Sequence, residues 1–273
     1  MQTETQPKLS TLARLRHSIT QVIKRLARPT QSFQREILDD HEVSLQELDD
    51  SFRDMGFINR YFGGVWLTAS SLQPLLPPLQ KQDAIRLLDL ASGAADVPLG
   101  LAQRWSKRGY RVEITALDLN PKTVELAQKA ARKARGVTKF EAYTADVFSY
   151  AYPEFDDGKP GYDFVTCSLA FHHFGPQMCV QMVELMAQQA RRGFVVNDLE
   201  RSWFGFFGAK FLSYTLTRQR LTKHDAPLSV LRSFSPAELL AIGQRANLPP
   251  GWSIKLRKNI FARLALVGVY NQG

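Results

Sequence analysis

The chain has little cysteine: Cys167 and Cys179 are its only two among 273 residues. Two cysteines cannot form a disulfide framework, and these two do not stand at a spacing typical of a metal site. We therefore predict that both are reduced residues of a buried core, as is usual in a cytoplasmic protein.

Long apolar runs are also missing from the sequence. No segment approaches the roughly 20 apolar residues that a bilayer-spanning helix needs, and none resembles the apolar part of a signal peptide. With 44% apolar residues, the chain has enough to form one well-cored domain with appendages. These features predict a cytoplasmic location.

Acidic residues are nearly absent from the N-terminal segment. Residues 1–35 contain Glu4 as their one acid, against seven basic residues: Lys8, Arg14, Arg16, Lys24, Arg25, Arg28 and Arg35. Apolar residues recur there every three or four positions, which predicts a basic amphipathic helix. Three interpretations stay open: an arm packed on the protein, a peripheral membrane contact through residues 8–28, or an organellar targeting peptide. Glu4 and the shortage of serine argue against targeting.

Charge and pattern divide the chain into three regions. We predict a basic amphipathic arm over residues 1–36 and a helical lid segment over residues 37–80. The main domain then covers residues 81–273, with a cap inserted at about 201–234.

The main domain contains a βαβ pattern but lacks the glycine-rich motif that binds a pyrophosphate. One apolar run, Leu87–Leu90, includes Asp89 and leads through five small residues to a helical pattern that opens at Asp96. The next apolar run ends at Asp118. A dinucleotide site normally has G-x-G-x-x-G, whereas this turn has Gly93 alone. Asp96 would repel a phosphate and suits a cation, and a carboxylate at Asp118 suits ribose hydroxyls.

This combination resembles the cofactor motifs of class I S-adenosylmethionine-dependent methyltransferases, although the family's glycines on either side of Gly93 are alanines here. The resemblance implies that S-adenosyl-L-methionine is the cofactor. It further implies that Asp89 and the Ala91–Ala95 turn hold the amino-acid end, Asp118 the ribose and Asp146 the adenine. The full set of expected cofactor contacts is Asp89, Ala91, Ser92, Gly93, Ala95, Asp96, Asp118, Leu119, Asp146, Val147 and Ser168.

The remaining strand patterns agree with that family. Further strands are predicted at Lys139–Tyr143, Tyr162–Leu169, Gly193–Asp198, Trp252–Arg257 and Ile260–Val269. The last two are separated by so short a gap that they must form a hairpin, not a parallel crossover. We expect an α/β, Rossmann-like class I methyltransferase fold: a seven-stranded, mostly parallel sheet with an antiparallel final strand, N-terminal helices and a helical cap. The resemblance extends from about Arg86 to Val269.

The chain lacks the Asn/Asp-Pro-Pro-aromatic turn of methyltransferases that act on exocyclic amino groups of nucleic-acid bases. Residues 168–174 at that place read Ser-Leu-Ala-Phe-His-His-Phe. The net charge of +9 alone would allow a nucleic-acid partner. However, the basic cluster around Lys129–Arg135 is predicted to face away from the pocket as a solvated surface. We expect no nucleic-acid partner.

His172 and His173 follow the fourth strand, where open α/β sheets place their chemistry. One of them could be the general base that deprotonates a hydroxyl acceptor, because imidazole titrates near neutral pH. Alternatively, both only shape the cofactor pocket. The sequence does not choose between these roles.

The region after the fifth strand resembles a bacterial group of small-molecule methyltransferases associated with polyketide and other aromatic secondary metabolism, and related to quinone-biosynthesis enzymes. The matching segments are Arg192–Ser202 and His224–Ser229, with Ile58–Gly64 upstream as part of a lid. His224 and Asp225 become candidates for the acceptor side, although adjacent side chains are expected to point apart and not to form a dyad. Some of the aromatic rings of the cap are expected to line an apolar cavity.

We therefore expect methyl transfer to a small, partly apolar acceptor, at a phenolic or enolic hydroxyl of a secondary metabolite. His172, His173 and His224 are the candidate catalytic residues, and no metal is required. Carbon methylation of a quinol-type precursor is the main alternative, and a non-catalytic cofactor-binding partner of a biosynthetic complex is another. The acceptor's identity and the oligomeric state stay open.

Overall fold

The computed structural model describes residues 28–40, 42–79, 84–153 and 161–271. Its centre is a seven-stranded sheet in the order β3-β2-β1-β4-β5-β7-β6. Six strands are parallel, and β7 runs antiparallel to both of its neighbours. The strands are β1 Ala84–Leu90, β2 Arg111–Asp118, β3 Lys139–Thr144, β4 Tyr162–Ser168, β5 Ala190–Leu199, β6 Trp252–Lys258 and β7 Arg263–Tyr270. The expected class I methyltransferase fold is confirmed.

Helices cover both faces of this sheet, so its central strands are apolar on both sides. Leu87 of β1 packs with α2 and α3 on one face, while its neighbour Leu88 packs with α5 and α8 on the other. The helices are α1 Leu45–Tyr61, α2 Gly64–Leu72, α3 Asp96–Ser106, α4 Pro121–Ala131, α5 Pro176–Gln189, α6 Trp203–Leu216, α7 Arg220–Arg232 and α8 Pro236–Arg245.

The strand order reverses between β1 and β4, which is where open α/β sheets bind ligands. Because β1, β2, β4 and β5 are parallel, their carboxyl ends meet at one edge. That edge brings together Asp89, Asp118, Ser168 and Asp198.

The terminal hairpin corrects one predicted boundary. The last strand begins at Arg263, not at Ile260, because Asn259 and the three residues after it form the turn. Ala262 has a left-handed φ of 52° there, and the Asn259 side chain accepts hydrogen bonds from the backbone of Phe261 and Arg263. The correction places Arg263 beside Leu199, at the ligand-binding edge.

Residues 28–40, here called the N-terminal strap, lie against helix α7. The backbone N–H of Ser32 donates to the Leu231 carbonyl at 3.0 Å, and those of Ile37 and Leu38 donate to the Asp225 carboxylate at 2.9 Å each. The rest of the basic arm and nearly all of the stretch considered for membrane contact lie outside the described residues. Among the described helices, none is both long and apolar enough to cross a bilayer.

Candidate active site

The turn after β1 has three left-handed residues at alternate positions. Ala91, Gly93 and Ala95 have φ values of 49°, 53° and 60°. Only glycine adopts this conformation without steric cost, so the two alanines hold backbone strain of about 1–2 kcal/mol each. The family's tight turn is therefore kept although its outer glycines are replaced.

Asp118 fastens this turn to the end of β2. Its Oδ2 accepts from the Gly93 N–H at 2.7 Å. Its Oδ1 accepts from the Asn120 N–H at 2.9 Å and from the Thr123 hydroxyl at 2.7 Å. The carboxylate predicted to bind ribose thus also sets the shape of the neighbouring cofactor turn.

Asp89 is buried beneath the turn, with 1% of its surface exposed. The Thr166 hydroxyl of β4 donates to its Oδ1 at 2.5 Å. Burial raises the pKa of Asp89 to about 7, although the hydrogen bond from Thr166 acts in the opposite direction. A cationic ligand at this edge would favour the ionised form of Asp89.

Asp96 begins α3 directly after the turn, and burial raises its pKa. The Asn59 side chain of α1 donates to Asp96 Oδ2 at 2.8 Å. The ring of Phe52, also on α1, lies so close to Gly93 that a Cβ there would be 2.8 Å from it. Thus α1 covers the turn through Phe52 and Asn59, whereas Tyr61 of the expected lid is 60% exposed.

Several buried polar atoms at this edge have no hydrogen-bond partner among the described residues. They are the hydroxyls of Ser92 and Ser168, Oδ1 of Asn59 and Nη1 of Arg263. Since buried polar groups are normally paired, this set fits a polar ligand. Arg263 is 1% exposed, and burial lowers its pKa to about 10 despite the nearby Asp198 and Asp96 carboxylates.

The expected adenine side is more open. Asp146 is exposed, and its Oδ1 accepts from the Phe148 N–H at 2.9 Å, whereas Val147 is buried. Leu119, just beyond β2, is 73% exposed. This exposed leucine, beside Asp118, offers an apolar surface to an adenine ring.

His172 and His173 lie in a short 3₁₀ helix after β4 and face a group of carboxylates. His172 Nδ1 is 2.7 Å from Asp198 Oδ1 and its Nε2 is 3.5 Å from Glu36 Oε1. His173 Nδ1 is 3.1 Å from Asp39 Oδ1 and its Nε2 is 3.7 Å from Glu36 Oε2. We call Glu36, Asp39, His172, His173 and Asp198 the histidine–carboxylate cluster.

In the buried pair of this cluster, each side chain favours the charged form of the other. Burial would lower the pKa of His172, but Asp198 and then Glu36 raise it above its usual range. Burial likewise opposes ionisation of Asp198, yet His172 keeps the pKa of that carboxyl lowered. The doubly protonated form of His172 is therefore favoured more than it would be in a free imidazole.

His224 corrects one expectation from the sequence. Its Nδ1 lies 2.7 Å from Oδ1 of the adjacent Asp225, so these neighbours do form a hydrogen-bonded pair. Asp225 also accepts from two backbone N–H groups of the N-terminal strap, while His224 is half exposed. The pair thus contributes to holding the strap on α7.

Residues 87–193, which include the turn and both histidines, match the family model described as a methyltransferase domain. The chain carries an S-adenosylmethionine-dependent methyltransferase domain. No curated protein sequence matches the chain.

Solved structures resemble this methyltransferase over most of its length. A candidate O-methyltransferase from Nostoc punctiforme PCC 73102 has a TM-score of 0.56 at 14% identity, over 93% of this chain and 68% of that one. Magnesium protoporphyrin IX methyltransferase from Synechocystis PCC 6803, with bound SAH, has a TM-score of 0.50 at 17% identity, over 86% of this chain and 91% of that one. The plantazolicin methyltransferase BpumL, in complex with SAH, has a TM-score of 0.53 at 14% identity, over 84% of this chain and 95% of that one. At these identities the likeness establishes the fold.

The cap of this methyltransferase comprises α6 and α7, and most of α6 is not buried. Of the 14 residues of α6, Ser213 alone is buried. Phe204, Phe207 and Phe211 are between 60% and 69% exposed. These three rings are largely exposed to solvent, and the expectation that some rings of the cap line an apolar cavity stays a prediction.

Four residues of the methyltransferase site were not assigned from the sequence. Glu36 comes from the region before the main domain, and no local pattern connects it to that domain. Asn59 lies in the Ile58–Gly64 segment expected to be part of a lid, but no contact was assigned to it. Asp198 could have been identified from the sequence, because it lies near the end of a predicted parallel strand, at the ligand-binding edge. So could Arg263, as a charge at the start of an apolar strand.

Proposed function

We propose that this chain transfers the methyl group of S-adenosyl-L-methionine to a phenolic or enolic hydroxyl of a small, partly apolar acceptor. The observation that carries the proposal is the histidine–carboxylate cluster, which follows β4 at the edge where the cofactor residues lie. A hydroxyl acceptor must lose its proton to become a good nucleophile, and this cluster contains groups that accept protons.

The residues at the edge fit the cofactor. Asp118 would hold the ribose, Asp146 the adenine amino group, and Asp89 and Asp96 the positively charged amino-acid end. We add Arg263 as the partner of the cofactor's carboxylate, because its buried Nη1 has no hydrogen-bond partner among the described residues. When bound, the cofactor supplies a methyl group on a sulfonium, and the protein's task is to align it with the acceptor oxygen.

Within the cluster we assign the base to His173. The side chain of His173 is 20% exposed, which leaves it open to an acceptor, whereas that of His172 is 3% exposed. The raised pKa of His172 favours the imidazolium, which has no lone pair to accept a proton. His172 is then a positioning residue that fixes the 3₁₀ helix on Asp198. His224, half exposed on α7, remains a second candidate on the acceptor side.

Two further observations support a small acceptor. The relatives in fold include a magnesium protoporphyrin IX methyltransferase and a plantazolicin methyltransferase. The residues after β4 also lack the Asn/Asp-Pro-Pro-aromatic turn of base-amino methyltransferases. Carbon methylation of a quinol-type precursor is the second candidate, since a phenolate is also nucleophilic at its ortho carbon. A non-catalytic partner of a biosynthetic complex is the third.

The test uses the full chain with isotope-labelled cofactor and a panel of phenols, enols and quinols of increasing apolar length. We expect label transfer to oxygen, identified by product NMR, and loss of transfer in His173→Gln with cofactor affinity retained. Label on carbon would establish the quinol alternative. Tight cofactor binding without any product across the panel would favour the non-catalytic partner.

A further inference from the structure

The Nε2 atoms of His172 and His173 both face the carboxylate of Glu36. They lie 3.5 Å and 3.7 Å from its two oxygens, too far for strong hydrogen bonds. Two ligand atoms about 2.1 Å from a tetrahedral ion are about 3.4 Å apart. One ligand atom from each of the three residues falls within 4.8 Å of the others. We propose that Glu36, His172 and His173 bind a divalent transition-metal ion of the zinc type.

The surroundings of the three residues are those of a prepared metal site. A histidine ligand usually donates its second ring N–H to a carboxylate, which fixes the ring. Here His172 has Asp198 at 2.7 Å from Nδ1, and His173 has Asp39 at 3.1 Å. Each imidazole is thus held with Nε2 available toward Glu36. Two histidines and one carboxylate form a common set for zinc and non-haem iron.

The cluster also has an excess of negative charge for a cation to balance. Three carboxylates, Glu36, Asp39 and Asp198, surround the two imidazoles. Two permanent cations lie near these carboxylates: Arg232, with Nε 3.8 Å from Glu36 Oε1 and Nη1 3.3 Å from Asp39 Oδ2, and Arg263, near Asp198. Ser229 donates to Glu36 Oε1 at 2.9 Å, which leaves Oε2 as the better ligand atom. A bound ion would replace the Nε2 proton of His172.

Three protein ligands leave a coordination position for water or another oxygen. That position would be reached past His173 and Asp39, since the side chains of His172 and Glu36 are each 3% exposed. If the proposed function is correct, the ion would lower the pKa of an acceptor hydroxyl bound there, the proton of that hydroxyl would pass to solvent water, and His173 would act as a ligand instead of as the base.

The test measures metal binding without cofactor or acceptor, so its failure is separate from failure of the proposed function. The full chain is stripped with a chelator and titrated with Co²⁺, whose visible absorption reports tetrahedral ligation, and then with Zn²⁺. We expect one equivalent to bind. Glu36→Gln and His173→Gln should weaken binding more than 100-fold, and Asp39→Asn by about 10–100-fold.

Glu125→Gln is the control, because it also neutralises a carboxylate but lies exposed on α4, outside the cluster. It should bind Co²⁺ as the wild type does. Circular dichroism checks that each variant is folded; Asp39→Asn, on a partly exposed residue, provides the readout if a ligand variant unfolds. Absence of cobalt absorption in the wild type, or unchanged affinity in both Glu36→Gln and His173→Gln, would overturn the proposal.

A second observation concerns helix α6, which exposes large apolar side chains on a soluble fold. Trp203, Phe204, Phe207, Phe211, Tyr214 and Leu216 are between 40% and 69% exposed. Ile260 in the hairpin turn is 80% exposed, and the N-terminal part of α6 packs near Ala262 of the same turn. Contiguous apolar patches of this kind usually mark an interaction site.

The charge of the residues around α6 indicates what binds this apolar surface. Residues 202–224 contain four basic residues and no acidic residue: Lys210, Arg218, Arg220 and Lys223. Exposed aromatic rings flanked by Lys and Arg are the pattern of helices that lie in a lipid interface. We infer that α6 and the hairpin turn dock on an anionic lipid surface. A membrane-dissolved apolar acceptor would then be close to the active-site edge, if the proposed function holds.

The experiment is co-sedimentation of the full chain with vesicles of phosphatidylcholine, with and without phosphatidylserine. We expect binding that needs the anionic lipid and falls at least tenfold in the double variant Phe204→Ser/Phe207→Ser. Leu79→Ser is the control: this residue is 55% exposed but precedes β1, at the opposite edge of the sheet. Vesicle binding retained by the double variant would overturn the inference. So would a wild-type dimer that ignores vesicles and dissociates in the double variant, which would assign α6 to a second copy.

Discussion

The carboxylate of Asp118 accepts a hydrogen bond from the backbone N–H of Gly93 at 2.7 Å. These residues end β2 and lie in the turn after β1, so one side chain connects the two parts of the cofactor motif. The same carboxylate is the proposed ribose ligand. Binding of the nucleoside and the shape of the turn are therefore coupled through a single residue.

Replacement of Asp118 by alanine should abolish measurable cofactor binding. The variant loses the charged acceptor for the ribose and three internal hydrogen bonds, where one hydrogen bond to a charged group contributes about 1.5–3 kcal/mol. Isothermal titration calorimetry with S-adenosylmethionine gives the affinity. Glu125→Ala, on the exposed face of α4, is the control. Unchanged affinity in Asp118→Ala would remove the central assignment of the site.

The strained turn predicts an unusual gain in stability from glycine. Ala91→Gly removes about 1–2 kcal/mol of left-handed strain and costs about 0.4–1 kcal/mol in unfolded-chain entropy. We expect a net stabilisation of about 0.5–1 kcal/mol in urea unfolding. Ala94→Gly, at a neighbouring position without positive φ, should instead destabilise the protein by about 0.5–1 kcal/mol. Equal effects of the two substitutions would contradict this account.

Cofactor affinity should rise with pH through the titration of Asp89. The pKa of Asp89 in the folded state, about 7, lies above the ordinary value of 3.8. The contribution of Asp89 to the stability of the fold is therefore lost as pH rises through about 7. A positively charged cofactor end favours the ionised form. The dissociation constant should therefore fall, by up to tenfold per pH unit, as pH increases toward 7 and should level off above it. Asp89→Asn should remove the slope, whereas Asp146→Asn should keep it.

The free energy of unfolding should also depend on pH, through the buried pair of His172 and Asp198. The folded-state pKa of His172 is raised above 6.5, so its contribution is present below pH 6.5 and lost as pH rises through the folded value. The pKa of Asp198 is lowered from 3.8, so its contribution is lost as pH falls. The pair therefore stabilises the fold most between these limits.

Asp198→Asn tests this pair by urea unfolding at several pH values. Near pH 6 we expect a loss of about 3–5 kcal/mol, because one charge is left buried without its partner. The loss should shrink as pH rises and His172 becomes neutral. A constant difference from acid to alkaline pH would show that His172 and Asp198 do not form an ion pair.

The sequence predicted the parts of the site that are local in the chain. Asp89, Gly93 and Asp118 belong to short patterns in which an apolar run, a turn and a helix follow one another, so their meeting at one sheet edge follows from topology. The terminal hairpin was predictable for the same reason. Helix α8 likewise begins at a local signal, since Ser235 and Glu238 form a capping box.

Contacts between distant segments could not be predicted in this way. Glu36 reaches the histidines because the N-terminal strap packs on α7, and that packing depends on Asp225 accepting from the strap backbone. The exposure of α6 was missed because an aromatic run has the same pattern whether it faces a core or a lipid. Helical spacing reports periodicity, not what covers the helix.

Arg263 provides the last prediction, because its buried guanidinium lies near Asp96 and Asp198 yet leaves Nη1 without a hydrogen bond among the described residues. If it binds the cofactor's carboxylate, Arg263→Lys should keep the fold and weaken cofactor affinity by about tenfold or more, since lysine cannot form two parallel hydrogen bonds. A cofactor analogue that lacks the carboxylate should bind the wild type and Arg263→Lys equally. An equal loss with both ligands would instead assign Arg263 a structural role beneath the site, as a counter-charge to its two aspartates.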